Sequence, residues 1–302
     1  MYNGLFINSN QSAVIAETNL QNTNNQLGQS LNELSSGLQI TGAWVNPAGY
    51  EIAQGLNATS LGITQATANA NNGNSLINIA SGALSTIQGM LGTMQTLATN
   101  AANGTNSTQN LDALNSEFTQ LASEITQIAS STSFNGLSLL NAGAGGSTIA
   151  VSDFTFQIGT NSNTTASQIS VSIQGVAANL LGLASAGGTV INSSLSNVTL
   201  VGSTTNNTSA LVALSAVQAA INQVSGISGQ LGSYQNRVTQ IMANLQTEGT
   251  NTSAAYDNIM DVNFAKETSQ YTLLSTLAQS GEAMLSQAST VNQGLLNLVR
   301  AI

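Results

Sequence analysis

The stretch ITQATANANNGNSLINIASGALSTIQGMLGTMQTLATNA, residues 63–101, decides the fold. Small and apolar side chains recur along it at intervals that alternate between three and four residues without a break. They are Ile63, Ala66, Ala70, Gly73, Ile77, Ala80, Leu84, Ile87, Leu91, Met94, Ala98 and Ala101. This spacing places them on one face of an α-helix. A continuous helix of about 40 residues would be ~60 Å long, so the sequence predicts a rod.

Similar rows of apolar side chains at three-four spacing, which we call stripes, mark both ends of the chain. The first runs from Ala13 to Leu38 and stops before Trp44 and Pro47, where the only proline predicts a joint. The last runs from Tyr271 to the final residue. The predicted coiled-coil and subunit-interface residues are Leu20, Leu27, Leu31, Leu34, Leu38, Leu274, Leu277, Met284, Val291, Leu295, Leu298 and Ile302. Because an uncovered seam of Leu and Ile is an aggregation liability, we expect the ends to pair with each other and with neighbouring copies.

The segment after the central rod changes from helical to extended periodicity. A further stripe at 111–128 predicts a helix that packs against the rod as an antiparallel hairpin. Asn135 and Gly136 then predict a hairpin turn, because Asn-Gly is favoured where both central residues need a positive φ. Alternating apolar and polar residues at 154–158 and 169–173 predict strands.

The stretch 183–209 is rich in Gly, Ser, Thr and Asn and predicts a short exposed insert. A helical stripe returns at 211–245 and weakens near Gly249. The predicted fold is mainly α: a long α-helical coiled-coil or hairpin bundle formed by both termini, with small β-hairpins and a short variable insert in the middle.

The composition excludes several classes of function. Charged residues make up 5% of the 302 residues, against about 25% in soluble proteins. The formal charge is −9, and the only basic residues are Arg237, Lys266 and Arg300. So few cations cannot neutralise a row of phosphates or hold an anionic membrane surface, which excludes nucleic acid as a partner. No stretch of transmembrane length is apparent, and we expect no membrane insertion.

The chain has no Cys and no His, which removes thiolate nucleophiles, imidazole bases and nearly all zinc sites. Glu17 and Glu33 are conceivable as an acid/base or metal-binding pair, but the favoured interpretation is two solvated helix carboxylates. We predict no catalytic, cofactor-binding or metal-binding residues and no cofactor, and we do not expect an enzyme. The amino terminus lacks the basic and apolar regions of a secretory signal, which by itself suggests the cytoplasm.

Several short motifs resemble the bacterial flagellin family. Glu33-Leu34-Ser35-Ser36-Gly37-Leu38 resembles its amino-terminal signature, and Pro47-Ala48-Gly49 its joint between terminal rod and core. Further islands follow in the family's order: Ala102 to Ser107, Phe134-Asn135-Gly136, Phe156 to Gly159, Gln235-Asn236-Arg237, Asp261, Phe264 to Glu267, Gln287-Ala288 and Leu298-Val299-Arg300. The resemblance covers nearly the whole chain.

The resemblance implies an inner-core coiled coil at 1–41 plus 262–302, an outer-core rod with hairpins at 42–182 plus 210–261, and a short variable insert at 183–209. It implies a filament subunit for swimming, exported unfolded through the flagellar type III pathway without cleavage and therefore extracellular. The implied partners are further copies, the export apparatus, an export chaperone, and the cap and junction proteins. A minor flagellin or hook–filament junction protein is the alternative, and a secreted adhesin would need a larger middle domain.

Two departures from the family pattern bear on recognition and on the joint. Positions that carry two arginines and a glutamate in many relatives are Thr93, Gln95 and Thr96 here, which implies weak or absent recognition by the mammalian innate immune receptor. A charged Lys-Asp-Asp run in the joint is replaced by Trp44-Val45-Asn46. We expect apolar contacts to replace ion pairs there, with Trp44 as a buried anchor.

The low charge also suggests a filament suited to acidic medium, because free carboxylates are largely protonated below about pH 3. Contacts between uncharged groups do not titrate. Drift toward an amide-rich coat is the equal alternative.

Overall fold

The computed structural model describes residues 10–141, 151–160, 167–177, 181 and 206–300. In this part of the chain five helices alternate with two small hairpins: α1 Gln11–Ser36, α2 Pro47–Ala101, α3 Thr108–Ser131, β1 Ser133–Phe134, β2 Leu137–Ser138, β3 Val151–Gln157, β4 Gln168–Gln174, α4 Asn206–Met260 and α5 Phe264–Arg300. The predicted mainly α fold is confirmed. The predicted insert at 183–209 lies outside the described residues, except for its last residues, which open α4.

Two helices are longer than their stripes predict. α2 has 55 residues and begins at Pro47, since proline suits the first helical position and the side chain of Asn46 accepts a hydrogen bond from Gly49 N at 3.0 Å. α4 continues through Gly249 to Met260. A Cβ at Gly249 would lie 3.4 Å from Ile63, so the glycine that weakens the stripe sits where α4 packs closely on α2.

The chain forms two compact units, Met1–Ser60 with Thr250–Ile302 and Leu61–Gly249. We call them the terminal unit and the central unit. The divisions between these units fall inside α2 and α4. In the terminal unit, Ile40, Ala53 and Met260 form one small core cluster, which joins the first turns of α2 and the last turns of α4 to the joint.

The central unit holds the main core. Its buried side chains come from α2, α3, β4 and α4 and form one cluster. Phe118, Leu84, Ile87 and Leu91 are wholly buried in it. From Ala70 onward, the stripe quoted above is therefore the face of α2 that packs into this core, whereas Ile63 and Ala66 pack with Leu245 in a separate cluster. β3 pairs with β4 in antiparallel register from Val151↔Gln174 to Gln157↔Gln168.

Candidate assembly interface

α1 and α5 pair antiparallel in the terminal unit. Asn10 caps α1 by accepting a hydrogen bond from Ala13 N at 3.1 Å, and its side-chain amide donates to Ala288 O at 2.7 Å. Further along, a Cβ at Gly281 would lie 3.2 Å from Leu20. At the other end of α1, Gly37 O accepts from Val262 N at 2.9 Å. These contacts hold the two helices in one register along the described length.

The residues between α1 and α5 combine large apolar side chains with small or polar ones. On α1 the partly or fully buried positions Ala13, Ala16, Leu20, Thr23, Leu27, Ser30 and Leu34 follow intervals of three and four, and Glu33 is buried beside them. On α5 the corresponding positions are Tyr271, Leu274, Ala278, Gly281, Leu285 and Ala288. Short side chains let the backbones approach closely, and we call this set the inner seam.

The inner seam differs from the predicted stripes at three of the predicted interface residues. Ser30 is buried where the stripe has Leu31, Ala278 where it has Leu277, and the half-buried Leu285 where it has Met284. Each of the larger predicted residues is turned outward. Hydrophobicity favours Leu31 over Ser30 and Leu277 over Ala278, and the three-four spacing favours Met284, whereas the backbone geometry places the neighbouring residue in the seam.

The outward side of the terminal unit therefore carries several large apolar side chains. Leu31 and Leu277 are each 48% exposed, and Met284 is 65% exposed. Other large exposed apolar side chains of these two helices are Val14, Ile15, Phe264 and Leu273. Ile15, Leu277 and Met284 line a groove of about 370 Å³ between α1 and α5. We call the exposed apolar side chains of α1 and α5 the outer face.

The structure places the remaining predicted interface residues as follows. Leu20, Leu27, Leu34 and Leu38 are half-buried, and Leu274 is buried at 4% exposure. Val291, Leu295 and Leu298 lie in α5, whose side chains are described up to residue 290, and Ile302 lies outside the described residues. Sequence reasoning missed Ile15 and Leu273, although each stands one residue away from a stripe position.

The joint forms around the Leu-Ser-Ser-Gly-Leu motif. Gly37 has φ +73°, which favours glycine, and ends α1 by donating its N–H to Glu33 O at 2.9 Å. The chain then runs extended, so that Leu38 bridges to Asp261 and Gln39 N donates to Met260 O at 2.6 Å. This motif thus ties the end of α1 to the segment between α4 and α5.

The prediction that Trp44 is buried is wrong for the single chain, because its side chain is 73% exposed. Ile40, not Trp44, enters the small core next to the joint. Pro47 begins α2, as the joint prediction required. The predicted hairpin turn is also found: Asn135 has φ +50° and Gly136 has φ +79° between β1 and β2.

Neutral side chains link α2 to α4 in the central unit. Gln88 donates to Ser225 at 3.2 Å, Gln95 to Gln218 at 2.9 Å, and Gln235 to Asn78 at 3.0 Å. All three bonds join amide or hydroxyl groups. We call them the amide bonds of the central unit, and none of them involves a group that titrates between pH 3 and 9.

Within the described residues no three Asp or Glu side chains come together as a metal site would require. One helical segment, Ser209–Met260, is long and apolar enough to cross a membrane by length and composition, contrary to the expectation from the sequence. Its residues Ala213, Val217, Val224 and Leu231 lie in the central core, as a core helix of this composition requires.

Long paired helices with an inner seam of small residues and an outer apolar face define a helical structural subunit. The model of the bacterial flagellin N-terminal helical region matches residues 7–144, and that of the C-terminal helical region matches residues 214–299. Flagellin of Bacillus subtilis is 34% identical over 97% of this chain and 99% of its own length, and flagellin of Halalkalibacterium halodurans is 33% identical over 98% and 100%. The chain belongs to the bacterial flagellin family.

A solved structure of a putative flagellar hook-associated protein from Vibrio parahaemolyticus shares the fold, with a TM-score of 0.55 at 12% identity over 72% of this chain and all of that chain. The family is one of structural proteins, and its members form the flagellar filament, outside the cell. The chain is accordingly a filament subunit that polymerises with further copies.

Proposed function

We propose that the outer face of α1 and α5 is the surface through which subunits bind one another in the filament. The outward position of Leu31, Leu277 and Met284 carries this proposal. A chain that used these helices only to stabilise itself would turn its large apolar side chains into the seam, because burying each of them contributes about 1.5–3 kcal/mol. Here these three side chains lie outward, and Ser30, Ala278 and Leu285 take the adjacent positions in the seam.

Removal of the last turns of α5 tests the proposal. Deleting residues 295–302, and with them Leu295, Leu298 and Ile302, should abolish stable filaments in electron micrographs while the central unit keeps its cooperative unfolding transition. A truncated chain that polymerises as the full chain does contradicts the proposal. Loss of the unfolding transition contradicts the claim that the deletion affects assembly alone.

We further propose that the subunit is exported unfolded through the flagellar type III pathway, with help from an export chaperone, and assembles beneath a cap for swimming. The inner-core, outer-core and insert boundaries given above belong to this proposal. Ordering the helical ends costs conformational entropy, and the apolar area buried between subunits offsets it. A non-motile strain lacking its own flagellin that swims again when it produces this chain supports the proposal; chain retained in the cytoplasm contradicts it.

Weak recognition by the innate immune receptor is a separate proposal. Thr93 and Thr96 donate their hydroxyl groups to Gly89 O and Gly92 O, and Gln95 donates to Gln218. These positions are uncharged, and their donors are used within the chain. Receptor-reporter cells should respond weakly to the monomer and more strongly to a Thr93→Arg, Gln95→Arg variant; an equal, strong response to both contradicts the proposal.

A further inference from the structure

Trp44 is the only tryptophan of the chain, and its side chain is 73% exposed. The surrounding joint, residues 37–46, contains no charged residue. An aromatic side chain of this size buries 150–250 Å² when it is covered. The exposed indole is therefore a large apolar group in a neutral surface.

The indole is held in a defined position. Val45 N donates to Gly42 O at 3.1 Å and closes a turn around Trp44. The ring lies against Gly42, where a Cβ would stand 2.7 Å from Nε1 and 2.9 Å from Cδ1. One edge of the indole thus lies against the backbone of Gly42, and the rest faces outward.

The terminal unit does not use Trp44 in its own core. The cluster beside the joint consists of Ile40, Ala53 and Met260, with Leu38, Tyr50, Tyr256 and Ile259 packed against it. These side chains are buried or half-buried without the indole. Among the described residues the indole therefore remains largely uncovered, and it is open to contact with another chain.

We propose that Trp44 is an intersubunit anchor, which binds to a second copy of the chain in the filament. The inference rests on the proposed polymerisation through the terminal unit. A second copy is favoured because the same unit exposes Leu31, Leu277 and Met284. The joint contains no charged residue, so covering it does not require a charge to be removed from water, which would be costly.

The fluorescence of the full chain tests this inference, because all tryptophan emission comes from Trp44. On polymerisation the emission maximum should move to shorter wavelength, and quenching by acrylamide should weaken. Trp44→Ala should raise the critical concentration for polymerisation by about tenfold or more, as expected for a buried aromatic anchor. Trp44→Phe should lie between the two, and Leu137→Ala, which removes an exposed apolar side chain of the β1–β2 hairpin, should leave the critical concentration unchanged.

If filaments form but the emission maximum and the acrylamide quenching do not change, the inference about Trp44 is wrong and the proposed polymerisation still stands. An unchanged critical concentration for Trp44→Ala overturns the inference in the same way. A monomer whose emission is already at short wavelength places the indole within its own chain and also overturns the inference. A wild-type chain that forms no filaments instead overturns the proposed function on which the anchor rests.

Discussion

The central and terminal units use the same three-four spacing in opposite ways. In the central unit the stripe positions Leu84, Ile87 and Leu91 are wholly buried against α3, β4 and α4. In the terminal unit Leu31 and Leu277 are turned outward, and the smaller Ser30 and Ala278 lie in the contact between α1 and α5 beside them. A stripe therefore identifies a helix, but whether its side chains are buried depends on which other helices and strands pack against them. The central unit buries its stripe in its own core, whereas the terminal unit leaves Leu31, Leu277 and Met284 exposed.

The largest expected effect on the free energy of unfolding comes from a substitution in the central core. Phe118→Ala should lower the free energy of unfolding of the monomer by about 3–5 kcal/mol, because it leaves a cavity among wholly buried side chains. Leu137→Ala, at an exposed position, should change it by less than about 0.5 kcal/mol. Urea titration followed by circular dichroism measures both, and equal losses would contradict the assignment of the core.

A smaller effect on the stability of the monomer is expected from a substitution in the β1–β2 turn. Gly136→Ala should cost about 1–2 kcal/mol, because φ is +79° there and a Cβ opposes that conformation. Gly82→Ala, inside α2 with open space around it, should instead stabilise the monomer by about 0.5–1 kcal/mol. The midpoint of thermal unfolding should shift in opposite directions for the two variants. A Gly136→Ala variant that is more stable than the wild type would contradict the assignment of the turn.

The smallest effect on stability is expected from the side-chain hydrogen bonds that we call the amide bonds of the central unit. A double-mutant cycle on Gln95→Ala and Gln218→Ala should give a coupling of about 0.5–1 kcal/mol at pH 7. The coupling should be the same at pH 3, because neither amide gains a proton in that range. This constancy supports the hypothesis of a filament suited to acidic medium. A coupling that disappears at pH 3 would argue against it.

Much of the fold follows from the sequence, because helix length and strand alternation are local properties. The stripes locate all five helices of the described chain, and Asn135-Gly136 locates the turn between β1 and β2. The positions of helix ends depend more on tertiary contacts. α4 continues past Gly249 because its helix packs on Ile63, which the stripe alone does not reveal.

The interface is less predictable than the fold. Ser30 and Ala278 lie in the inner seam although each stands beside a leucine, because close approach of two helices favours small side chains over hydrophobic ones. A run of Ala and Gly at three-four spacing next to Leu was the available signal. Trp44 shows the same limit: its aromatic character predicted burial, whereas its side chain is 73% exposed.

The outer face is tested most directly by its effect on polymerisation. We expect Leu277→Gln with Met284→Gln to raise the critical concentration at least tenfold, while the monomer unfolds as the wild type does. The matched control is Thr276→Gln with Ala283→Gln, which places two glutamines at exposed positions on the same helix; it should polymerise near the wild-type concentration. Sedimentation of filaments measures all three chains, and equal critical concentrations for the two double variants would contradict the account.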